Sequence, residues 1–470
     1  MDLPIEVLNR IFKQVMLKKD LFSCSLVNRT WSLVALPILW NKPVYSEALI
    51  QTLISCFSQQ DKDNLVQTGI RLDSWINIGS GIDYPSYIFD LYYSSLLIYV
   101  NRFLSKQNNQ QKKRLTYYLM QYLCKLLMNR CINLKNLEFR NLNLTEYFII
   151  PFYHFPGADG NLINITSMTL DFSLSFCDQF FYALSGICKQ IKSLSLWDLN
   201  ENNALMYFIE SQAFLKNLSI WCSDVQFPTN GSSENLEKRA NFLKSLVLYE
   251  SSVSASFLAQ CINLNVLKVT GDKFFRMIEN VMDFNRLKLN NLEKILFDDV
   301  SNEYMDKITK LLDRTNVLKE ITLMIDSDHS IELTKVIVHN YTNLVDYKGL
   351  YDDSQIILLH IFVQNCPFLE KLVICDNKTN NSKFNFNDEL MRLGNVIPRN
   401  LKKLRLKKSW IYNAFTLNSF MKKCFEKLKG SFEFYININD HDYSIQNYDK
   451  QIMFKGYDDG LIHVECYVNR

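Results

Sequence analysis

The tetrapeptide CINL stands at Cys131–Leu134 and again at Cys261–Leu264, 130 residues later. Aligned on its leucine, the chain shows one recurrent frame, apolar-x-x-apolar-x-apolar. It reads LKNLEF from Leu134, ITSMTL from Ile165, IKSLSL from Ile191, LKNLSI from Leu215, LKSLVL from Leu243 and LNVLKV from Leu264. It continues as LEKILF from Leu292, LKEITL from Leu318, LEKLVI from Leu369 and LKKLRL from Leu401, with a degenerate LVDYKG from Leu344 and an extended LKGSFEF from Leu428. Anchors recur roughly every 27 residues, so the CINL copies lie five repeats of 26 apart.

The last two apolar residues of each frame alternate with polar ones, as Leu194 and Leu196 do around Ser195, which is the period of a strand with one buried face. Between frames the spacing turns helical: Phe180, Phe181, Leu184 and Ile187, or Met305, Ile308, Leu311 and Leu312. Each unit is a strand followed by a helix and cannot bury its core alone, which predicts an α/β leucine-rich-repeat solenoid of 11–12 copies over residues 131–470. Its parallel strands would line the concave face of a horseshoe, with the helices outside.

Cys131, Cys188, Cys261 and Cys366 each stand three residues before an anchor. One repeat position points one way in every copy, so these thiols should line a seam at a helix-to-strand junction and not converge on a metal. None of the 12 cysteines forms a Cys-x-x-Cys pair, against a zinc knuckle. The pattern resembles the cysteine-containing class of leucine-rich repeats, and Pro367 after Cys366 matches the frequent CP start of that class.

Residues 1–40 lie outside the repeat. Pro4 suits a first helical turn with Glu6 at its positive end, and Val7, Leu8, Ile11, Phe12 and Val15 follow at helical spacing. Asp20 is placed to cap a second helix, and Leu26, Val27, Trp31 and Val34 form the stripe of a third. Three short helices enclose little core. This stretch resembles an F-box in Leu3-Pro4, Glu6, Ile11-Phe12, Asp20-Leu21, Leu26-Val27, Asn28-Arg29, Trp31 and Leu39-Trp40. The resemblance implies binding to the Skp adaptor of cullin-based ubiquitin ligases through a mostly apolar helical interface. Carried onto this sequence, it assigns fold and adaptor contact to Leu3, Pro4, Leu8, Ile11, Leu26, Val27, Trp31 and Trp40; any of these, Trp31 above all, could instead only stabilise the three helices. The layout, F-box, linking region, then repeats, is similar to that of the large fungal family of F-box proteins with leucine-rich repeats. Residues 41–130 read as a helical linker with a polar run, SKQNNQQKKR, at 105–114.

The polar strand positions, two, four and six after each anchor, would face a target. The last of these runs Arg140, Asp171, Trp197, Trp221, Tyr249, Thr270, Asp298 and Met324. Strands lie about 4.8 Å apart, so Trp197, Trp221 and Tyr249 form a candidate substrate strip, unless the rings fold onto the following loop. Lys403, Arg405 and Lys407 form a second candidate, for an acidic or phosphorylated segment, or a solvated basic edge.

Lys plus Arg number 52 against 49 acidic residues, a net charge of +3 that gives no general pull on nucleic acid or anionic lipid. The acidic start lacks the basic, apolar plan of a secretory signal, and residues 84–100 are too short and polar to span a bilayer; a cytoplasmic or nuclear protein is expected. GSG at 79–81 reads as a turn. No nucleophile elbow, P-loop or His-Glu-x-x-His occurs, so no enzyme and no cofactor is expected. Two functions stay open: the substrate-recognition subunit of an SCF-type ligase, reaching cullin and RING subunits through the adaptor and binding a protein substrate on the repeats, or a repeat scaffold that delivers nothing for ubiquitination.

Overall fold

The computed structural model describes residues 3–72, 82–106, 111–140, 149–171, 178–198, 203–222, 226–227, 239–277, 287, 289–315, 317–325, 330–350, 356–375, 384–406, 410–411, 413–428, 431–436, 452–458 and 461–467. The turn expected at 79–81 lies outside them. The chain divides into two compact units, residues 1–224 with 229–239, and 225–228 with 240–470.

The first unit opens with three helices, α1 (Ile5–Phe12), α2 (Lys18–Ser25) and α3 (Arg29–Asn41). Leu8, Phe12, Leu21, Val34 and Ala35 close a small core, with Val15, Cys24, Trp31, Ile38 and Leu39 packed around it. Two expectations need correction. Asp20 does not cap α2 but sits inside its first turn, where its charge still suits the helix dipole. Leu26 and Val27 are not part of a third helical stripe: they end α2, and α3 begins only after Asn28, whose Oδ1 accepts the Trp31 N–H at 2.8 Å.

The expected helical linker contains α4 (Glu47–Ser55), α5 (Gln59–Gln67), β1 (Asp90–Tyr92), α6 (Tyr93–Ser105) and α7 (Lys112–Arg130). β1 went unread in the sequence. It pairs in parallel with β2 (Asn136–Phe139), so the ladder starts one strand before the first repeat. Strands β3 (Ser167–Asp171), β4 (Ser193–Trp197) and β5 (Asn217–Trp221) continue it in register. Helices α8 (Ala158–Leu162), α9 (Asp178–Ile187) and α10 (Asn203–Glu210) precede β3, β4 and β5 in turn.

The second unit repeats the plan: β7 (Ser245–Tyr249) is followed in space by β9 (Val266–Thr270), β10 (Lys294–Asp298), β11 (Glu320–Met324), β12 (Asp346–Leu350), β13 (Lys371–Cys375), β15 (Lys403–Arg405) and β17 (Ser431–Ile436), all parallel. The intervening labels belong to two-residue strands, β6 (Gln226–Phe227) with β8 (Ser252–Val253) and β14 (Phe384–Asn385) with β16 (Trp410–Ile411). An antiparallel pair, β18 (Ile452–Asp458) and β19 (Leu461–Tyr467), ends the sheet through β19 on β17. In each unit the anchors are buried, as are Leu194 and Leu196, or Leu267 and Val269, on the helix-facing side of their strands. This is the α/β leucine-rich-repeat fold.

The CINL junction explains itself atom by atom. Cys131 and Cys261 are the residues that end a helix, α7 in one case and Ala255–Gln260 in the other. In both, the cysteine carbonyl accepts the anchor leucine N–H, at 3.2 and 3.1 Å. The asparagine reaches backwards: Asn263 Nδ2 donates to the Asn241 carbonyl at 2.9 Å and Asn133 Nδ2 to the Ser86 carbonyl at 3.1 Å. The cysteine position makes a seam. Cys188 Sγ donates to the Leu162 carbonyl at 3.4 Å, Gln212 Nε2 to the Cys188 carbonyl at 2.8 Å, and Cys366 Sγ to the Tyr341 carbonyl at 3.6 Å, each acceptor being the same position one repeat earlier. Burial pushes the Cys188, Cys261 and Cys366 thiols up to about 12, so they stay protonated donors.

Candidate functional site

In the three-helix module, Leu8 and Phe12 point inward at i, i+4 spacing, and the adjacent stripe, Val7 and Ile11, is left outside. Leu3, Ile5, Met16, Leu17, Phe22, Leu26, Val27 and Leu33 are exposed as well, Leu26 at 70% and Val27 at 59%. Such a density of uncovered large apolar side chains in about thirty residues exceeds the scattered exposure of ordinary surfaces and marks an interaction face.

The eight residues assigned to fold and adaptor therefore divide. Leu3, Pro4, Ile11, Leu26 and Val27 are exposed. Leu8, 2% exposed, belongs to the core and cannot touch a partner. Trp31 is half-buried and meets Phe12 edge to face at 5.1 Å, so the alternative reserved for it, stabilising the helices, describes its contacts. Trp40 packs on Tyr84 with ring centroids 4.4 Å apart, tying α3 to the linking region. Phe89 N–H to the Asn41 carbonyl, 3.1 Å, and Lys42 to Asp90, 3.3 Å, close the same junction.

On the polar face of the strands in the first unit, Trp197 and Trp221 stack at 4.5 Å with 5° between their planes. The Arg140 guanidinium lies 4.0 Å above the Trp197 ring. Trp197 is thus sandwiched, a geometry worth about 1 kcal/mol per contact, and both rings are half-buried; the loops that follow them, onto which the rings could alternatively fold, lie outside the described residues. Near Arg140, burial raises the Glu138 carboxyl above its usual range, with the guanidinium opposing and Asp90 adding to the rise. The third member of the expected strip, Tyr249, belongs to the second unit, where it is exposed at the end of β7.

The basic candidate looks different in place. Lys403 pairs with Glu433 at 3.2 Å and the neighbouring Lys402 with Glu370 at 2.6 Å, so carboxylates of the adjoining repeats balance the cluster. Arg405 is half-buried, in register with Val373; Lys407 lies outside the described residues.

One feature of the strand ends went unread. Seven residues after the anchor, Asp198, Cys222, Glu250, Gly271 and Asp299 all adopt positive φ, between 45° and 80°. The kink stops the strand while keeping one more ladder bond, as in Asp198 N–H to the Trp221 carbonyl and Asp299 N–H to the Met324 carbonyl, 2.9 and 3.0 Å. A side chain at Gly271 would collide with the Glu250 carboxylate, 2.1 Å away. The Asp and Gly at three of these places were the available signal, since those residues tolerate this conformation best.

Residues 1–46 match the family model described as F-box-like. The chain joins an F-box-like domain to leucine-rich repeats. No curated protein matches it. Among solved structures it is similar to an internalin (inlF) of Listeria monocytogenes, 12% identical over 62% of this chain and 81% of that one with a TM-score of 0.34. It is also similar to the leucine-rich repeat-containing protein LegL7 of Legionella pneumophila, 13% identical over 55% of this chain and 90% of that one with a TM-score of 0.33. The fold assignment rests on the register and burial of the strands themselves. An F-box-like domain suggests a Skp-type partner, and the two modules together are those of a protein-interaction adaptor. Among the described residues no helix is long and apolar enough to cross a membrane, and no group of three or more His, Cys, Asp or Glu is placed to hold a metal.

Proposed function

We propose that this chain is the substrate-recognition subunit of an SCF-type ubiquitin ligase, working in the cytoplasm or nucleus. The uncovered apolar face of the F-box-like domain carries the reading. Leu3, Pro4, Ile11, Leu26 and Val27 bind the Skp adaptor and bring the chain to a cullin and its RING subunit. A protein substrate binds the strand face, with Trp197 and Trp221 as anchor and, in the second unit, Tyr249 and the Lys403–Arg405 region as further contacts. The chain itself performs no bond chemistry. It supplies proximity, holding a substrate lysine where transfer from the charged conjugating enzyme is effectively intramolecular.

The test is co-purification of the full chain with a Skp-type adaptor and a cullin. The L26D/V27D variant should lose both, by more than about tenfold, with unchanged melting, because desolvating two carboxylates opposes an apolar interface. W197A/W221A should keep adaptor and cullin but lose proteins stabilised by proteasome inhibition. Undiminished capture by L26D/V27D would reject the adaptor surface. Adaptor capture without a cullin would leave a scaffold that delivers no substrate.

A further inference from the structure

Strand entry in the first unit carries a charge pattern that neither module explains. The residue one after each anchor is Lys135, Thr166, Lys192 and Lys216. Their backbones are stacked by hydrogen bonds: Thr166 N–H to the Lys135 carbonyl at 2.8 Å, Lys192 N–H to Thr166 at 2.7 Å, Lys216 N–H to Lys192 at 2.9 Å. These positions therefore form a row at strand spacing, about 4.8 Å, in which Lys192 and Lys216 are direct neighbours of like charge, a destabilising arrangement. Among the described residues no carboxylate pairs with Lys135, Lys192 or Lys216, and the next position along each strand is neutral: Asn136, Ser167, Ser193 and Asn217.

At two positions the second unit supplies a counter-charge of its own. At the identical repeat position Lys319 pairs with Glu293 at 2.9 Å and Lys402 with Glu370 at 2.6 Å. Among the described residues, Lys319 and Lys402 are thus neutralised by a neighbouring repeat, whereas Lys244, at the same position of the second unit, and Lys135, Lys192 and Lys216 of the first have no paired carboxylate. At the junctions before the row, exposed Ile132 (60%) and Ile163 (43%) stand two residues before their anchors, Lys189 and Ala213 take that place in the third and fourth repeats, and exposed Phe214 (54%) stands one residue before Leu215.

We infer that the strand-entry rim of the first unit docks an acidic amphipathic helix of a protein partner. The row supplies one cation or hydroxyl per repeat, and an α-helix laid along it supplies one turn per 5.4 Å. A face with one carboxylate per turn therefore drifts by only about 2 Å over four repeats, within reach of flexible lysine stems. Leucines flanking those carboxylates cover Ile132, Ile163 and Phe214, while Lys135, Lys192 and Lys216 acquire the charges the array withholds. An extended strand or a flat anionic surface would match the charges but not the apolar side chains at the junctions.

The experiment uses the full chain and a fluorescein-labelled 18-residue peptide carrying glutamates and leucines along one helical face, beside a scrambled peptide of the same composition. The helical design should bind at least about fivefold tighter than the scramble, K192E/K216E should weaken it about tenfold, and added salt should weaken it too. F214S should weaken binding while leaving the salt dependence in place. If charge reversal disturbs folding by circular dichroism, K192Q/K216Q replaces it, with a loss of a few-fold expected. L26D/V27D should bind the peptide normally, which separates this rim from the adaptor face. Equal binding of both peptides, undiminished binding by the folded lysine variants, or charge-dependent binding only to phosphatidylserine vesicles or single-stranded RNA would overturn the inference.

Discussion

Leu26 and Leu267 are the same residue in opposite circumstances. Leu26, in the F-box-like domain, is 70% exposed; Leu267, on β9, is fully buried, flanked in register by Leu246 and Ile295 of adjoining strands. The contrast extends to whole modules. Three short helices enclose a core of about five residues, and among the described residues Leu3, Ile11, Leu26 and Val27 stay uncovered. A repeat has a neighbour on each side, so its leucines are covered by a chain segment of the same design. Hydrophobicity in the first case is a demand on another protein, and in the second it is met within the array.

The sharpest way to break this contrast is truncation. Leu267→Ala should cost about 2–5 kcal/mol in denaturant unfolding, whereas Leu26→Ala should stay within about 0.5 kcal/mol. A large cost at Leu26 would mean that the helical face is covered within the chain. Thiol chemistry gives a second, smaller probe. Exposed Cys222 should be alkylated by N-ethylmaleimide in the native protein, while Cys188, Cys261 and Cys366, buried and held protonated, should react only after unfolding, as read by mass spectrometry. Rapid native labelling of Cys188 would open the seam to doubt. The smallest effect is at the strand ends: Asp299→Gly, at φ 54°, should change stability by no more than about 1 kcal/mol, in the stabilising direction, because glycine removes the left-handed strain. Destabilisation there would assign the Asp299 side chain a bond of its own.

The repeat was legible because its signal is redundant: a buried anchor and two inward strand residues recur at fixed offsets, and every copy corrects errors in another. β1 was illegible because Asp90–Tyr92 belongs to no copy and its pairing with Asn136–Glu138 is visible only in space. The F-box-like module was legible in type but not in direction. Apolar spacing places Leu8 and Ile11 on one helix, and only the packing of Phe12, Leu21 and Val34 decides that Leu8 faces inward. The aromatic row was read correctly as Trp197 beside Trp221, but Arg140 reaches Trp197 from two strands away, a contact that no local pattern announces. The carboxylates beside the basic cluster were illegible for a different reason: Glu370 and Glu433, which pair with Lys402 and Lys403, stand some thirty residues away in sequence yet one strand away in the sheet.

The kink seven residues after Ile191, Leu215, Leu243, Leu264 and Leu292 has a consequence for how such a chain can change length. Between the anchor and the kink, the strand backbone is paired in register with the repeats before and after it, so an insertion there would shift donors off their carbonyls. Past the kink the described contacts between repeats are of another kind, as where Ser301 N–H donates to Asp272 Oδ1 at 2.7 Å. Spacings between anchors run from 21 residues, Leu243 to Leu264, to 32, Leu369 to Leu401, without disturbing a single strand register. Differences in length thus fall between the end of one strand and the next anchor, outside the paired strands, and that is where this fold can acquire new contours at the least risk to itself.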